Sequence, residues 1–392
     1  MEIKKLGDLV DFSNGYAFKS SDYIDSSNTV NCRMSNIRPD GTFDIEYNIK
    51  YLPDDFTNKY KDYILNDGDI IIAMTDMAGD PKILGVPTIV VTKGYSVLMN
   101  QRVGKLTLKN NDIVPQYLKY SLISKPAREY FKSFAGGGVQ LNIGKKEILN
   151  IKLNLHNTTE QEQIVHKLDK IKEIIELRKQ QLQQLDELVK ARFVELFGDC
   201  KNRVRLGDCC DVHARIGWQA LTKNEHMKTG EFMLVTGTDF KDGEINYSTC
   251  VYVAKERYEM DKHIILKNDD VLITKDGTIG KVAVVHNLPK PATLNAGVFV
   301  VRPDDRFNKT FIANVFRGTL FSDFVEDSKT GATIKHLNQK HLVEFMIPVP
   351  SINEQEQFAD FVKQIDKSKF VVQKALDEAQ TLFDSLMQEY FG

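Results

Sequence analysis

The string Glu-Gln-Glu-Gln occurs at 160–163 and again at 354–357, each time at the head of a long heptad pattern. The match runs well beyond those four residues. At the same offset of 194, Gly137 aligns with Gly331, Leu149 with Val343, Leu153 with Ile347, and Phe197-Gly198 with Phe391-Gly392. At a slightly different offset, Lys5-Leu6-Gly7-Asp8 matches Arg205-Leu206-Gly207-Asp208, and the stretch 66–72 resembles 268–273. A solenoid needs three or more short units. One large unit used twice predicts a pseudo-two-fold molecule instead: a globular block and a helix, then the same again. The boundaries this gives are 1–158, 159–199, 200–350 and 351–392.

The helical segments carry a seam. In the first, Ile164, Leu168, Ile171, Ile175, Leu182, Leu185, Val189 and Leu196 recur by fours and threes. In the second, Phe358, Val362, Ile365, Val372, Leu376, Ala379, Phe383, Leu386 and Tyr390 do so, with Lys369 as the polar exception. Such spacing predicts a coiled coil, and pairing the two seams in an antiparallel arrangement buries both. Thr158 or Thr159 and Ser351 or Asn353 are the expected N-caps. The globular blocks alternate short apolar runs with turns. Strands are expected at 69–74, 88–91, 103–108, 271–273, 282–285 and 298–301, helices at 115–134 and 311–324, and apolar strands at 148–155 and 345–349 before the long helices. The fold class is therefore α/β (α+β), with two similar mixed-sheet domains separated by two long helices.

The chain of 392 residues has a formal net charge of −2, which does not advertise nucleic acid. By segment the charge is +2 for 1–158, −2 for 159–199, +2 for 200–350 and −4 for 351–392. The blocks are mildly basic and the helices acidic. That permits DNA binding without the strong basic footprint of an autonomous binder. The N-terminus lacks the apolar core of a secretory signal, and no apolar run approaches a membrane span. The five cysteines form no C-x-x-C pair and are expected as reduced, mostly buried thiols in a cytoplasmic protein.

No catalytic constellation emerges. Phe134-Ala135-Gly136-Gly137-Gly138 fits F-x-G-x-G of S-adenosylmethionine sites but follows a predicted helix instead of a strand, and no N/D-P-P-F/Y appears. Gly277-Thr278-Ile279-Gly280-Lys281 is half a P-loop, with Val282 where a magnesium-binding hydroxyl is required. Pro53-Asp54 with Asp80-Pro81-Lys82 imitates a nuclease triad, but the central proline distorts the strand that motif needs. The eight histidines show no metal-ligand spacing.

What recurs is loop chemistry: Gly, amide, hydroxyl and basic residues at matching places in both blocks. Arg and Lys suit guanine and phosphate, Asn and Gln suit adenine, and Ser and Thr suit phosphate. The candidates for DNA contact are Lys19, Arg33, Asn36, Arg102, Gln140, Asn142 and Lys145 in the first block. In the second they are Arg215, Trp218, Gln219, Lys275, Thr278, Lys281, Lys335 and His336. Any one of these is an ordinary solvated loop residue when taken alone, and the weight lies in the repetition.

Taken together, L-G-D at 6–8 and 206–208, the apolar strand followed by Lys275-Asp276-Gly277-Thr278-Ile279-Gly280-Lys281, the paired E-Q-E-Q and the terminal Phe-Gly resemble the specificity subunit of type I restriction-modification systems. The resemblance covers the whole chain. The first block departs from it at Thr75-Asp76-Met77-Ala78-Gly79-Asp80-Pro81. The resemblance implies two target-recognition domains, held apart by the helices, that read the halves of an asymmetric double-stranded DNA site. It also implies two methyltransferase (M) subunits bound to the helices, and restriction (R) subunits. S-adenosylmethionine, ATP and Mg would sit on those partners, with no cofactor and no catalysis on this chain. The competing reading is a two-domain scaffold that binds proteins or glycans, and a stand-alone enzyme ranks below it.

Overall fold

The computed structural model describes residues 2–216, 221–330 and 337–392. They form two compact units: 1–178 with 375–392, and 179–374. The division runs through the two long helices, Thr158–Phe197 and Ile352–Phe391, so each unit holds half of each.

Unit one contains an antiparallel sheet in the order Val10–Asn14, Val103–Leu108, Ile70–Ala73, Pro87–Ile89. A second sheet has the order Tyr51–Leu52, Thr29–Cys32, Ser96–Met99, Ile64–Leu65, and its inner pair is parallel. Unit two repeats the scheme. Cys210–Ala214, Val298–Pro303, Val271–Thr274 and Val282–Val284 make the first sheet. Val251–Val253, Phe232–Val235 and Ala292–Leu294 make the second, with Phe232–Val235 at its centre and parallel to Ala292–Leu294. The mixed sheets expected from the sequence are present in both. Their buried Val and Ile positions favour extended backbone because β-branched side chains pack well on a pleated surface.

The recurring motifs hold corresponding joints. The Leu6 amide donates to the Ile151 carbonyl at 2.9 Å, and the Leu206 amide donates to the Phe345 carbonyl at 2.8 Å. Gly7 and Gly207 keep those joints tight, since a Cβ there would lie 3.1 Å from the Leu149 oxygen and 2.9 Å from the Val343 Cβ. Asp69 pairs with Lys105 at 2.6 Å, and Asp270 pairs with Arg302 at 2.6 Å. The N-caps are Asn157 and Ser351. Each closes a capping box with the first Glu of its E-Q-E-Q: Asn157 with Glu160, Ser351 with Glu354. Ser351 is as expected. Asn157 replaces Thr158 and Thr159, because the box needs its acid three residues after the cap.

In unit two the helix halves pack antiparallel. The Phe193 ring lies 5.5 Å from that of Phe358, and further along Lys369 pairs with Asp186. Val189, Phe193 and Phe197 join Phe358, Val362 and Ile365 in one core with Phe311. In unit one Ile164 and Leu168 share a core with Phe383, Leu386 and Phe391. Of the expected seam residues, Leu168, Ile175, Val189, Val362 and Ile365 are buried, and Leu182, Leu376 and Phe383 are half-buried. Leu196 departs from it at 39% exposure. The helix end turns Phe193 and Phe197 inward instead, since a spacing of four keeps a stripe on the globular core.

Three further expectations change. The helix predicted over 311–324 is two helices, Lys309–Arg317 and Thr319–Thr330, parted at Gly318. The helix predicted over 115–134 is two helices, Pro115–Ile123 and Lys125–Phe134, parted at Ser124, which caps the second. The segment 148–155 is not one strand. Lys145–Asn150 is helical, and only Lys152–Leu155 is extended.

Candidate nucleic-acid interface

In unit one, backbone hydrogen bonds tie five loops to one another. The Tyr16 amide donates to the Met99 carbonyl at 2.9 Å, and the Gln101 amide donates to the Tyr16 carbonyl at 2.9 Å. The amide of Asn100 reaches the Cys32 carbonyl at 2.9 Å, that of Met74 the Arg102 carbonyl at 3.0 Å, and that of Ile143 the Met74 carbonyl at 2.9 Å. Loops far apart in sequence (13–19, 32–36, 75–79, 100–102 and 136–146) thus converge. Unit two repeats three of these bonds: Asn295 to Val235, Lys275 to Gly297, and Leu337 to Lys275, each at 2.9 Å. By these bonds and the strand registers, Met74 corresponds to Lys275, Arg102 to Gly297 and Asn100 to Asn295.

That correspondence exposes an exchange. In unit one the basic side chain comes from Arg102, opposite Met74. In unit two it comes from Lys275, opposite Gly297. Each bonded pair carries one cation, supplied from opposite strands. Arg102 is exposed, and Lys275 is half-buried, with Nζ 5.5 Å from the centre of the Phe299 ring. Beyond Lys275 the chain turns tightly. Thr274 Oγ1 donates to the Thr278 carbonyl at 2.5 Å and accepts the Lys281 amide at 2.9 Å. Gly277 and Gly280 have φ of 69° and 83°, a region that glycine enters without strain. Thr278 and Lys281 stand exposed on this turn. In unit one Asn142 is exposed, its Oδ1 accepting from Thr75 Oγ1 at 2.9 Å; Gln140 is half-buried, and Lys19 is exposed on the 13–19 loop.

Other candidates are bonded within their own unit, Asn36 and Arg215 buried, Arg33 half-buried and Lys145 exposed. Asn36 is 1% exposed: its Oδ1 accepts the Arg33 amide at 2.8 Å, and its Nδ2 donates to the Asp44 and Tyr47 carbonyls at 2.9 and 3.1 Å. Arg33 is half-buried and donates to the Asn48 carbonyl at 2.5 Å. Lys145 Nζ donates to the Phe12 carbonyl at 2.9 Å. Gln339, 194 residues on, donates to the matching Val212 carbonyl at 2.7 Å, so that position is filled for its donor and not for its charge. Arg215 is 1% exposed, and burial, with Arg257 beside it, pushes its pKa down. For Asn36 and Arg215 the expectation of a direct contact is corrected: both are buried, Asn36 is bonded to backbone, and Arg215 bonds through Nε and Nη2 inside the unit, while its Nη1 has no hydrogen-bond partner among the described residues. Trp218, Gln219, Lys335 and His336 lie outside the described residues.

The sequence reading missed several supports. Asp76 is buried, and its carboxylate accepts the amides of Met77, Ile83 and Leu84, anchoring the loop where the first block departs from the motif. Arg128 Nη2 donates to the Lys82 carbonyl at 2.8 Å, stapling the same loop from a helix. Rings also gather beside the 13–19 loop, with Tyr16 and Tyr60 at 4.4 Å and Phe18 and Tyr60 at 5.2 Å. The aromatic spacing in 51–63 was the available signal.

Chemically the convergent ends offer cations, amides, hydroxyls and backbone donors. Burial pushes the Cys32 thiol up to about 12, which makes it a packing group. Phe134-Ala135-Gly136-Gly137-Gly138 forms a turn in which the Gly136 amide meets the Asn142 carbonyl at 3.2 Å. Among the described residues no three His, Cys, Asp or Glu side chains could hold a metal ion, and no helix is long and apolar enough to cross a membrane.

Comparison with known proteins adds the following. The family model for the type I restriction modification DNA specificity domain matches residues 1–187 and again 200–379. The MjaVIII specificity subunit of a type I restriction enzyme from Methanocaldococcus jannaschii is 30% identical over 207 residues, 52% of this chain and 47% of that protein. The match thus spans about half the length of that relative. The EcoBI specificity subunit of Escherichia coli is 20% identical over 98% of this chain and 84% of its own. The crystal structure of a type I restriction-modification S subunit from M. genitalium superposes with a TM-score of 0.55 at 15% identity, covering 100% of this chain and 96% of that one. A chain from work on assembly and conformational transition of the type I R-M system gives a TM-score of 0.59 at 16% identity, covering 100% and 97%. At those identities the structures show a shared fold.

Proposed function

The chain belongs to the type I restriction modification DNA specificity family, and from that premise we propose that each unit reads one half of an asymmetric, split duplex DNA site. The observation that carries this reading is the repeated loop end, built by the same three backbone bonds in both units and bearing one cation at the matching Met74–Arg102 and Lys275–Gly297 pairs. Equal scaffolds with unequal side chains suit two readers of different sequence. Base edges are told apart by side-chain donors and acceptors, while cations on phosphate fix register. In this reading the two long helices set the number of unread bases between the halves and dock two methyltransferase subunits, with restriction subunits joining the assembly. S-adenosylmethionine, ATP and Mg act on those partners, in the cytoplasm, and this chain turns over nothing by itself.

The test is a block exchange. Residues 200–350 are replaced by the second block of a relative, the complex is reconstituted with its methyltransferase subunits, and the methylated motif is sequenced. One half of the motif should change and the other stay. A change in both halves, or no sequence preference in the wild-type complex, overturns the proposal. The purified chain alone should show no methyltransferase, nuclease or ATPase turnover.

A further inference from the structure

We propose that Arg215 is a positioning residue of the second reading face, holding the 295–297 loop from within the unit without touching DNA. This rests on the reading above and names how one of its loops is set.

Arg215 follows the strand Cys210–Ala214 and is 1% exposed. Its Nε donates to the Leu294 carbonyl at 2.8 Å, and its Nη2 donates to Thr293 Oγ1 at 3.1 Å and to the Arg257 carbonyl at 3.4 Å. Leu294 ends a strand parallel to Phe232–Val235 and lies against Val235, as Met99 lies against Cys32 in unit one. In unit one the Met99 carbonyl receives the backbone amide of Tyr16 at 2.9 Å. In unit two the guanidinium makes the equivalent bond, so a side chain does there what backbone does in unit one. The consequence passes along three residues. Asn295 is anchored through its amide on Val235, its Oδ1 accepts the Ala296 amide at 2.7 Å, and the Gly297 carbonyl accepts the Lys275 amide at 2.9 Å. Arg215 therefore governs where Asn295 sits and where Lys275 starts.

A buried guanidinium is costly unless its donors are satisfied; Arg215 has Nε and Nη2 bonded, and Nη1 has no hydrogen-bond partner among the described residues. Here one further Arg lies beside it, and Arg257 is itself paired with Glu225 at 2.8 Å. A cation meant for phosphate would sit outside. The planar fork serves the Leu294 and Thr293 oxygens from separate nitrogens, which an ammonium cannot copy.

The test uses the complete complex with methyltransferase subunits and measures DNA binding against salt and the methylated motif, for wild type, R215K, R215A and T293V. We expect R215K to lose discrimination in the second half-site by about tenfold or more, the scale of one misread base pair. The first half-site and the salt slope should stay as in wild type. T293V should show the same loss more weakly. R215A opens a cavity and risks unfolding the unit, so R215K and T293V, checked by thermal melting, carry the decision. A salt slope shallower by about one unit in R215K or R215A means a lost phosphate contact and overturns the proposal. Unchanged discrimination in R215K overturns it as well, with the parent reading intact. A wild-type complex that reads no split site overturns both.

Discussion

Gln161 Oε1 accepts the backbone amide of Val114 at 2.8 Å from a side chain that is 0% exposed. Its Nε2 donates to the Asp112 and His156 carbonyls, both at 2.8 Å. In unit two Gln355 does the same with Asn308, Arg306 and Pro350, at 2.9, 3.1 and 3.0 Å. The second residue of E-Q-E-Q is therefore a buried clasp between the helix start and the globular block. Gln161→Leu should destabilise the protein by at least about 1–3 kcal/mol, because buried backbone groups lose their partners. Gln355→Leu should do likewise. Thermal or urea unfolding checks this, and a wild-type midpoint in either variant would refute the clasp.

Cations on the loop ends should behave differently from one whose ammonium is committed to a backbone carbonyl. In the complete complex, Arg102→Ala and Lys275→Ala should each flatten the salt dependence of DNA binding by about one unit. Lys145→Gln should leave the slope unchanged, since Gln339 fills that position in unit two with the same carbonyl bond. Equal effects from all three would mean that the Lys145 ammonium serves phosphate and not the Phe12 carbonyl.

His213 is half-buried and its ring stacks on that of His263 at 4.6 Å between centres. Burial, then the neighbouring His263, push its pKa below the ordinary 6.5; Arg302 acts in the same direction, while Asp211 and Asp261 oppose. The folded state thus prefers the neutral ring, and the unfolded chain binds more protons. The associated stability is complete above the unfolded pKa and is lost as pH falls through the lowered folded one. Unfolding midpoints should drop between about pH 7 and about pH 5.5, the range in which histidine titrates. His213→Gln should reduce that drop, and an unchanged pH profile would exclude the effect.

Inserting one heptad into each long helix keeps the seam and adds about 10.5 Å. That equals about three base pairs at roughly 3.4 Å each. If the helices are the ruler, the preferred spacer should lengthen or activity should be lost, with the bases of each half unchanged. Inserting three residues in one helix breaks the repeat and should destabilise the protein instead. Full activity of the heptad variant on the original spacer would rule the helices out as ruler. The methylated motif of each variant reads the outcome.

What could be read from residues alone was whatever repeats or has a period. The offset between Glu160 and Glu354, the heptad residues Leu168, Ile175, Val189, Val362 and Ile365, and strands such as Val103–Leu108 follow from local pattern, because one-sided burial imposes its period on the chain. Tertiary structure decided the rest. Nothing local distinguishes Arg102, which faces outward, from Arg215, whose fork is committed to Leu294 and Thr293; that depends on strands some eighty residues away. Lys145 and Lys275 look alike as loop lysines, yet one holds the Phe12 carbonyl and the other begins the exposed turn. Leu196 lost its seam place to Phe193 and Phe197 because the helix end packs on a globular core as well as on a second helix. A side chain's role depends on which backbone carbonyls the fold brings within about 3 Å of it, and hydrogen bonds between distant segments leave no periodicity in the sequence.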